Sequence, residues 1–430
     1  MILRQIEDKD LSQFSYMVGC QQTGEAIIVD PERDIEKYYE LAEKEGMKIV
    51  AAVDTHIHAD YLSGIREFAE KGVKVYASAE GGEDWQYKWL KDSDYNYRLL
   101  RDNDSIELGN ISLKALHTPG HTPEHLSFLV IDHPRTDEPL AILTGDFVFI
   151  GDVGRPDLLE SAAKIEGQRE PSAKQLFKSL SRFKELDDSI VVLPGHGSGS
   201  ACGKSLGAVP FSSVGYERRN NPAIKFDDEQ EFVDYILKDQ PAPPMYFARM
   251  KQENRDGMEL YEERELTKLQ APEGKLFSIG KKAKGSLYAP SDAVTETAGS
   301  FLSKEDRITL YSEDGDYEKY RRALMKIGLD NVVGYVDNVD EADDSSKEKE
   351  TIMIDVRGEK EYREENLGTK LIPHTRMAEH LDELDKDKKI LLFCASGGRS
   401  ESAASYLRSE GFDAESIGGI DEAREMLSKP

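Results

Sequence analysis

The sequence has no apolar run approaching the roughly 20 residues that a helix needs to cross a bilayer, so it contains no candidate membrane span. Cysteine is scarce. The three residues, Cys20, Cys202 and Cys394, are too few and too far apart for a disulfide framework or a zinc ribbon. Free thiols fit a reducing compartment. Positive charge is also short: 56 Lys and Arg stand against 83 Asp and Glu, a formal net charge of −27. That balance excludes nucleic acid and anionic membranes as partners, and an anionic substrate needs a local basic pocket against the overall field. The first residues, Met-Ile-Leu-Arg-Gln-Ile-Glu-Asp, lack the basic-then-apolar pattern of a signal peptide, so a cytoplasmic location is expected.

What is present is imidazole in the first half. Seven of the nine histidines precede residue 200. The apolar run Lys48–Val53 reads as a buried strand and leads into Asp-Thr-His-Ile-His-Ala-Asp-Tyr over 54–61. His56, His58 and Asp60 alternate, which on an extended segment places them on one side, facing one point. Two imidazoles and a carboxylate facing one point suit a divalent cation. Three more apolar runs end in ligand-type residues. His117-Thr-Pro-Gly-His121 follows the strand Ile111–Leu116, and Pro119 and Gly120 force a turn that presents His121. Ala141-Ile-Leu-Thr-Gly ends in Asp146, and Val191-Val-Leu-Pro-Gly ends in His196. Strands and helices alternate along this stretch, so an α/β fold with sheets covered by helices is expected.

These motifs, in this order, resemble the metallo-β-lactamase superfamily over about residues 1–256. The resemblance implies an αββα sandwich with a metal at one edge of its sheets. Hydrolytic members that hold two zinc ions usually carry a histidine after the Asp60 position, whereas this chain has Tyr61. A phenol with a pKa near 10 is a poor ligand at neutral pH. What remains supplies His56, His121 and Asp146 to a single metal, the two-histidine, one-carboxylate set of non-haem Fe(II) and O2 chemistry. That set is similar to the persulfide dioxygenases of the superfamily and implies one Fe(II) per chain, with zinc as the alternative. His58, Asp60 and His196 are then orienting groups or alternative metal ligands. The resemblance also carries a substrate contact onto Arg155, with Tyr61 placed beside the substrate. A salt bridge from Arg155 to Asp157 or Asp152 is the competing reading. Cys202, six residues after His196, is either a sulfur relay or a buried bystander, and Cys20 reads as structural.

The C-terminal third is an internal repeat. Lys275–Gly280 corresponds to Ile352–Arg357, Arg307–Gly315 to Lys389–Gly397, and Lys326–Asn331 to Ser409–Ala414, with the acidic stretch Asp340–Glu350 as a linker. The second copy runs from a buried strand into Cys394-Ala-Ser-Gly-Gly-Arg-Ser400 and a helix. Turn amides and a helix N-terminus stabilise a thiolate there, Gly397 and Gly398 can cradle a sulfur anion, and Arg399 adds a cation. The Cys-x-x-Gly-x-Arg-Ser loop, with Asp355-x-Arg357 upstream, resembles the rhodanese family. The first copy has Ser312 in place of the cysteine. The expected domains are therefore 1–256, a degenerate rhodanese-like domain at 257–340 and an active one at 345–430. The joint reading is an enzyme that oxidises a low-molecular-weight thiol persulfide with O2 to sulfite. Cys394 and Arg399 then convert sulfite to thiosulfate, a sulfide-detoxifying role, in a homo-oligomer. A dinuclear zinc thioester hydrolase resembling glyoxalase II, and a non-catalytic sulfur carrier, stay open at this point.

Overall fold

The computed structural model describes residues 1–158, 167–200, 202–203, 206–240, 243–339 and 351–428. The chain forms two compact units, Met1–Gln240 with Phe247–Tyr261, and Pro241–Tyr246 with Glu262–Pro430. The linker expected at Asp340–Glu350 lies outside the described residues.

In the first unit, strands β1 (Ile2–Asp8), β2 (Gln13–Cys20), β3 (Glu25–Val29), β4 (Lys48–Val53), β5 (Lys74–Ser78) and β6 (Tyr97–Leu100) pair in chain order as one six-stranded sheet. The first three run antiparallel and the rest parallel. Strands β7 (Ser105–Leu108), β8 (Ile111–His117), β9 (Leu126–Asp132), β10 (Ala141–Gly145), β11 (Val191–Pro194) and β12 (Ser212–Ser213) form a second six-stranded sheet. Alternation decides which faces meet. Phe14, Tyr16, Val18 and Val29 of the first sheet pack against Leu113, Ala115, Phe128 and Val130 of the second. The opposite positions, Met17, Ile28, Ala52 and Val75, meet helices Glu36–Lys44 and Ile65–Glu70. On the other sheet, Leu129, Ile142 and Val192 meet helices Arg169–Lys184 and Glu229–Leu237. Both faces of each sheet are covered, which is why all eight residues of β2 and all seven of β9 are buried. Each large apolar side chain buried in this way contributes roughly 1.5–3 kcal/mol. The result is the helix–sheet–sheet–helix sandwich.

The first unit runs five residues past the expected boundary at 256. Arg33 donates to the Glu259 carbonyl at 2.6 Å and the Tyr261 N–H to Glu67 at 2.9 Å, which tie the segment after helix Phe247–Asp256 to this unit.

The second unit holds two four-stranded parallel sheets. One comprises β13 (Lys275–Ile279), β14 (Leu287–Ala289), β15 (Ile308–Ser312) and β16 (Val332–Tyr335), in the order β14-β13-β15-β16. The other comprises β17 (Thr351–Asp355), β18 (Lys370–Leu371), β19 (Lys389–Phe393) and β20 (Asp413–Ser416), in the matching order β18-β17-β19-β20. The repeat seen in the sequence is thus a repeat of topology. Its two copies, each with its own sheet, fall in one compact unit, and the first copy holds no cysteine.

Candidate metal centre and thiol loop

The ends of β8, β10 and β11 and the segment after β4 converge at one edge of the sandwich. Each of His121, Asp146 and His196 directly follows a glycine, and the close packing there leaves no room for a side chain. A Cβ on Gly120 would sit 2.5 Å from Leu176 Cβ, on Gly145 2.4 Å from Thr55 Oγ1, and on Gly195 2.8 Å from Asp146 Oδ1. Gly145 also has φ +48°, a left-handed conformation that glycine adopts without strain.

Three lone pairs point into one space. His121 Nδ1–H donates to the Arg155 carbonyl at 3.1 Å, leaving Nε2 as an acceptor 3.5 Å from Asp146 Oδ2. The Thr55 hydroxyl donates to Asp30 Oδ2 at 3.0 Å, so it accepts from His56 Nδ1–H at 2.9 Å. His56 Nε2 is then the bare nitrogen, 3.9 Å from Asp146 Oδ2. Asp146 Oδ1 accepts from His196 Nδ1 at 2.7 Å, while Oδ2 is buried and has no hydrogen-bond partner among the described residues. Burial pushes His56 and His121 below the ordinary imidazole range, which keeps their lone pairs available. Burial alone would raise Asp146, but His196, His56 and His121 outweigh it and hold the carboxyl well below its usual range. Ligand atoms of His56, His121 and Asp146 lie within 4.8 Å of one another. Two neutral imidazoles, one carboxylate and an orphaned buried oxygen fit a divalent metal ion.

The segment 54–61 is bent, so its alternation does not bring its side chains to one point. His56 enters the triad. His58 turns to Asp30 and Asp54, and Asp60 turns to His196 and Cys202. The Asp30 carboxylate, 3.1 Å from His58 Nε2, with Asp54 and Asp60, overrides the opposing effect of burial and pushes His58 up to about 9. His196 Nε2 is 2.7 Å from Asp60 Oδ2, so both of its nitrogens face carboxylates. Tyr61 is fully buried. Its hydroxyl accepts from Gln13 at 3.1 Å and lies 3.0 Å from His58 Nε2. Arg155, 1% exposed, forks to Asp157 at 3.1 and 2.7 Å. The salt bridge to Asp157 is thus present, and the carbonyl of Arg155 serves the site. Cys202 is buried, and burial together with Asp146 and Asp60 pushes its thiol well up. Cys20 is buried at the end of β2, where Sγ accepts the Asn110 N–H at 3.4 Å.

Sequence reasoning missed several bracing residues. Asp30 ends an apolar strand in the same way as Asp146, which was a usable signal. Asn254 donates to the carbonyls of His58 and Tyr61 at 2.9 and 2.8 Å, and Glu124 accepts the Ile57 N–H at 2.8 Å. No local pattern marks these two.

At the end of β19, Cys394 Sγ accepts the Gly397 N–H at 3.0 Å. Gly397 has φ +103° and opens the helix Gly398–Ser409. Burial raises the Cys394 thiol, but the Ser400 hydroxyl and the amides of Ser400, Ser396 and Gly397 outweigh it and hold the thiol below its ordinary value. Arg399 pairs with both oxygens of Glu361 at 2.8 and 2.7 Å, a partner that the sequence did not suggest. Arg357 forks back to Asp355 and braces the end of β17. In the first copy, Ser312 Oγ accepts the Gly315 N–H at 3.0 Å, the same cradle built around a hydroxyl.

Comparison with known proteins finds relatives of both domains. The Metallo-beta-lactamase superfamily matches residues 8–196, and the Rhodanese-like domain matches residues 338–422. The chain is 28% identical over 242 residues to the mitochondrial persulfide dioxygenase ETHE1 of Homo sapiens, covering 54% of this chain and 79% of that protein. The Bos taurus counterpart is 26% identical over 248 residues, covering 55% of this chain and 81% of that protein. A solved metallo-beta-lactamase from Staphylococcus aureus subsp. aureus COL is 40% identical with a TM-score of 0.71, covering 78% of this chain and 98% of that one. The chain therefore belongs to the metallo-beta-lactamase superfamily and carries a C-terminal rhodanese-like domain.

Proposed function

We propose that the first unit oxidises a low-molecular-weight thiol persulfide with O2 at one iron(II) ion, and that the second converts the resulting sulfite to thiosulfate. The first reaction is RSSH + O2 + H2O → RSH + SO3²⁻ + 2H⁺. In the second, the Cys394 thiolate takes the outer sulfur of a second thiol persulfide and releases the thiol; sulfite then attacks that sulfur and leaves as thiosulfate, returning the Cys394 thiolate. The observation that carries the reading is the convergence of His56 Nε2, His121 Nε2 and Asp146 Oδ2, with a phenol at the position where a second metal needs a donor. The identity to persulfide dioxygenases over this unit supports it.

His56, His121 and Asp146 are the residues that would hold the ion, and iron(II) so bound supplies O2-activating redox chemistry. The chain's own contribution is orientation. The Arg155 carbonyl and the Thr55–Asp30 relay fix the two imidazoles, and His196 holds the third ligand from behind. At Cys394 the turn amides and the Ser400 hydroxyl stabilise the thiolate that accepts and releases sulfur.

The test is metal analysis of anaerobically purified protein together with O2 uptake on adding glutathione persulfide. One iron per chain, with O2 consumed in proportion to sulfur oxidised, is the expected result. Two zinc ions per chain, thioester hydrolysis and no O2 uptake would instead establish the hydrolase, with Asp60, His196 and Cys202 serving the second ion.

A further inference from the structure

The cysteine-free copy is packed against the thiol loop of the other. Pro290 Cγ lies 3.9 Å from where a Cβ on Gly398 would stand, at the first turn of the helix that follows Cys394. Further along that helix, Ser405 Oγ accepts the Tyr288 N–H at 2.8 Å, and Phe301 stacks on Tyr406 with ring centroids 4.5 Å apart. Lys282 pairs with Glu401 at 2.8 Å. These contacts place helix Val294–Phe301 beside the loop. From that helix Glu296 reaches His374 of the cysteine-bearing copy, with Oε1 2.9 Å from Nε2. His374 is nearly buried, whereas half of the Glu296 side chain stays open to solvent.

The cation beside the thiol is therefore already paired. Arg399 is held by Glu361, and Glu296 bonds to His374. Glu296 feels Arg399 as well as His374, and both hold its carboxyl below the usual range; Arg399 in turn feels Cys394. An anion approaching Cys394 meets an arginine already matched by Glu361, with a second carboxylate, Glu296, acting on the same arginine. That second carboxylate comes from the copy that has no sulfur chemistry of its own.

We propose that the cysteine-free copy is a working wall of the thiol site, and that Glu296 is a specificity-determining residue that limits how strongly anions are drawn to Cys394. This rests on the sulfur-transfer reading above. It accounts for the retention of a copy whose own loop, Ser312-Glu-Asp-Gly-Asp316, carries a hydroxyl and acidic residues where a sulfur anion needs a thiol and a cation.

The test uses the full chain and compares alkylation of Cys394 by anionic iodoacetate and neutral iodoacetamide, followed by mass spectrometry of the Cys394 peptide. Taking the ratio of the two rates cancels changes in access. Glu296→Gln is expected to raise the iodoacetate-to-iodoacetamide ratio about threefold at low ionic strength, with the difference shrinking in high salt as the charge is screened. Glu296→Asp, which keeps the charge, is expected to stay near the starting ratio. In thiosulfate formation, Glu296→Gln is expected to lower KM for sulfite by a similar factor and leave kcat within about twofold. An unchanged ratio in Glu296→Gln, or equal behaviour of the Gln and Asp variants, overturns the proposal. Absence of thiosulfate formation by the unmodified protein overturns the sulfur-transfer reading instead, and the alkylation ratio still decides the role of Glu296.

Discussion

Tyr61 occupies a place where one more imidazole would change the metal stoichiometry. Its ring stacks on His58 with centroids 4.4 Å apart, and its hydroxyl is spent within the Asp30–Gln13–His58 network. Burial pushes the phenol well above its ordinary value, so it remains a neutral, poor ligand. Tyr61→His supplies the missing donor and is expected to raise bound metal from one ion per chain towards two under zinc loading, measured by elemental analysis after gel filtration. At the thiol loop, the reactive species is the thiolate, so alkylation rates rise as pH passes through the thiol pKa. Because that value is lowered in the fold, the rise at Cys394 is expected at a lower pH than for a free thiol. Ser400→Ala removes the hydroxyl that is the largest stabilising influence and is expected to move the rise back towards higher pH. A pH–rate profile for the Cys394 peptide measures both.

Strand ends are the elements that build the metal site, and the glycine before His121, Asp146 and His196 allows the chain to turn there. Gly145→Ala forces a left-handed backbone on a residue with a Cβ, 2.4 Å from Thr55 Oγ1 and 2.8 Å from His125 Nε2. The expected cost is about 2–3 kcal/mol, with weaker metal binding, read from denaturant unfolding of metal-free protein and from metal titration. The same strand ends explain what was legible in advance. Apolar runs ending in His121, Asp146 and His196 announce themselves in the sequence because burial and ligand type lie side by side along the chain. The repeated strand–loop–helix of the second unit was legible for the same reason. Less legible was the segment 54–61, where alternation implied one converging face and the bent chain sent His56, His58 and Asp60 to three clusters. Long-range partners left little trace. Asn254 reaches His58 across 196 positions and Glu296 reaches His374 across 78, and neither separation follows any periodicity. Arg155 stayed ambiguous because a guanidinium two residues from an acid reads equally as a substrate clamp or as the buried pair that it makes with Asp157.

For the whole molecule, the decisive property is that the two chemistries lie in different compact units, each with its own ligands and its own core. Asp146 belongs to the first unit, and its orphaned Oδ2 is the carboxylate oxygen available to a metal. Cys394 belongs to the second, and its thiolate is stabilised by amides of its own loop. Each set of residues belongs to its own unit, so their losses should separate. Asp146→Asn keeps the hydrogen bond to His196 possible but removes the anionic ligand. It is expected to abolish O2 uptake with a thiol persulfide by at least about 100-fold, while added sulfite still yields thiosulfate through Cys394. Cys394→Ser is expected to do the reverse, with O2 uptake retained within about twofold and sulfite accumulating where thiosulfate formed before. Mixing the two variants in solution is expected to restore thiosulfate output from persulfide and O2 if sulfite diffuses freely between chains. Output that stays far below the unmodified protein at equal sulfite production would show that sulfite is handed over within one chain or assembly. Oxygen electrode traces run alongside chromatographic quantification of sulfite and thiosulfate measure all three cases.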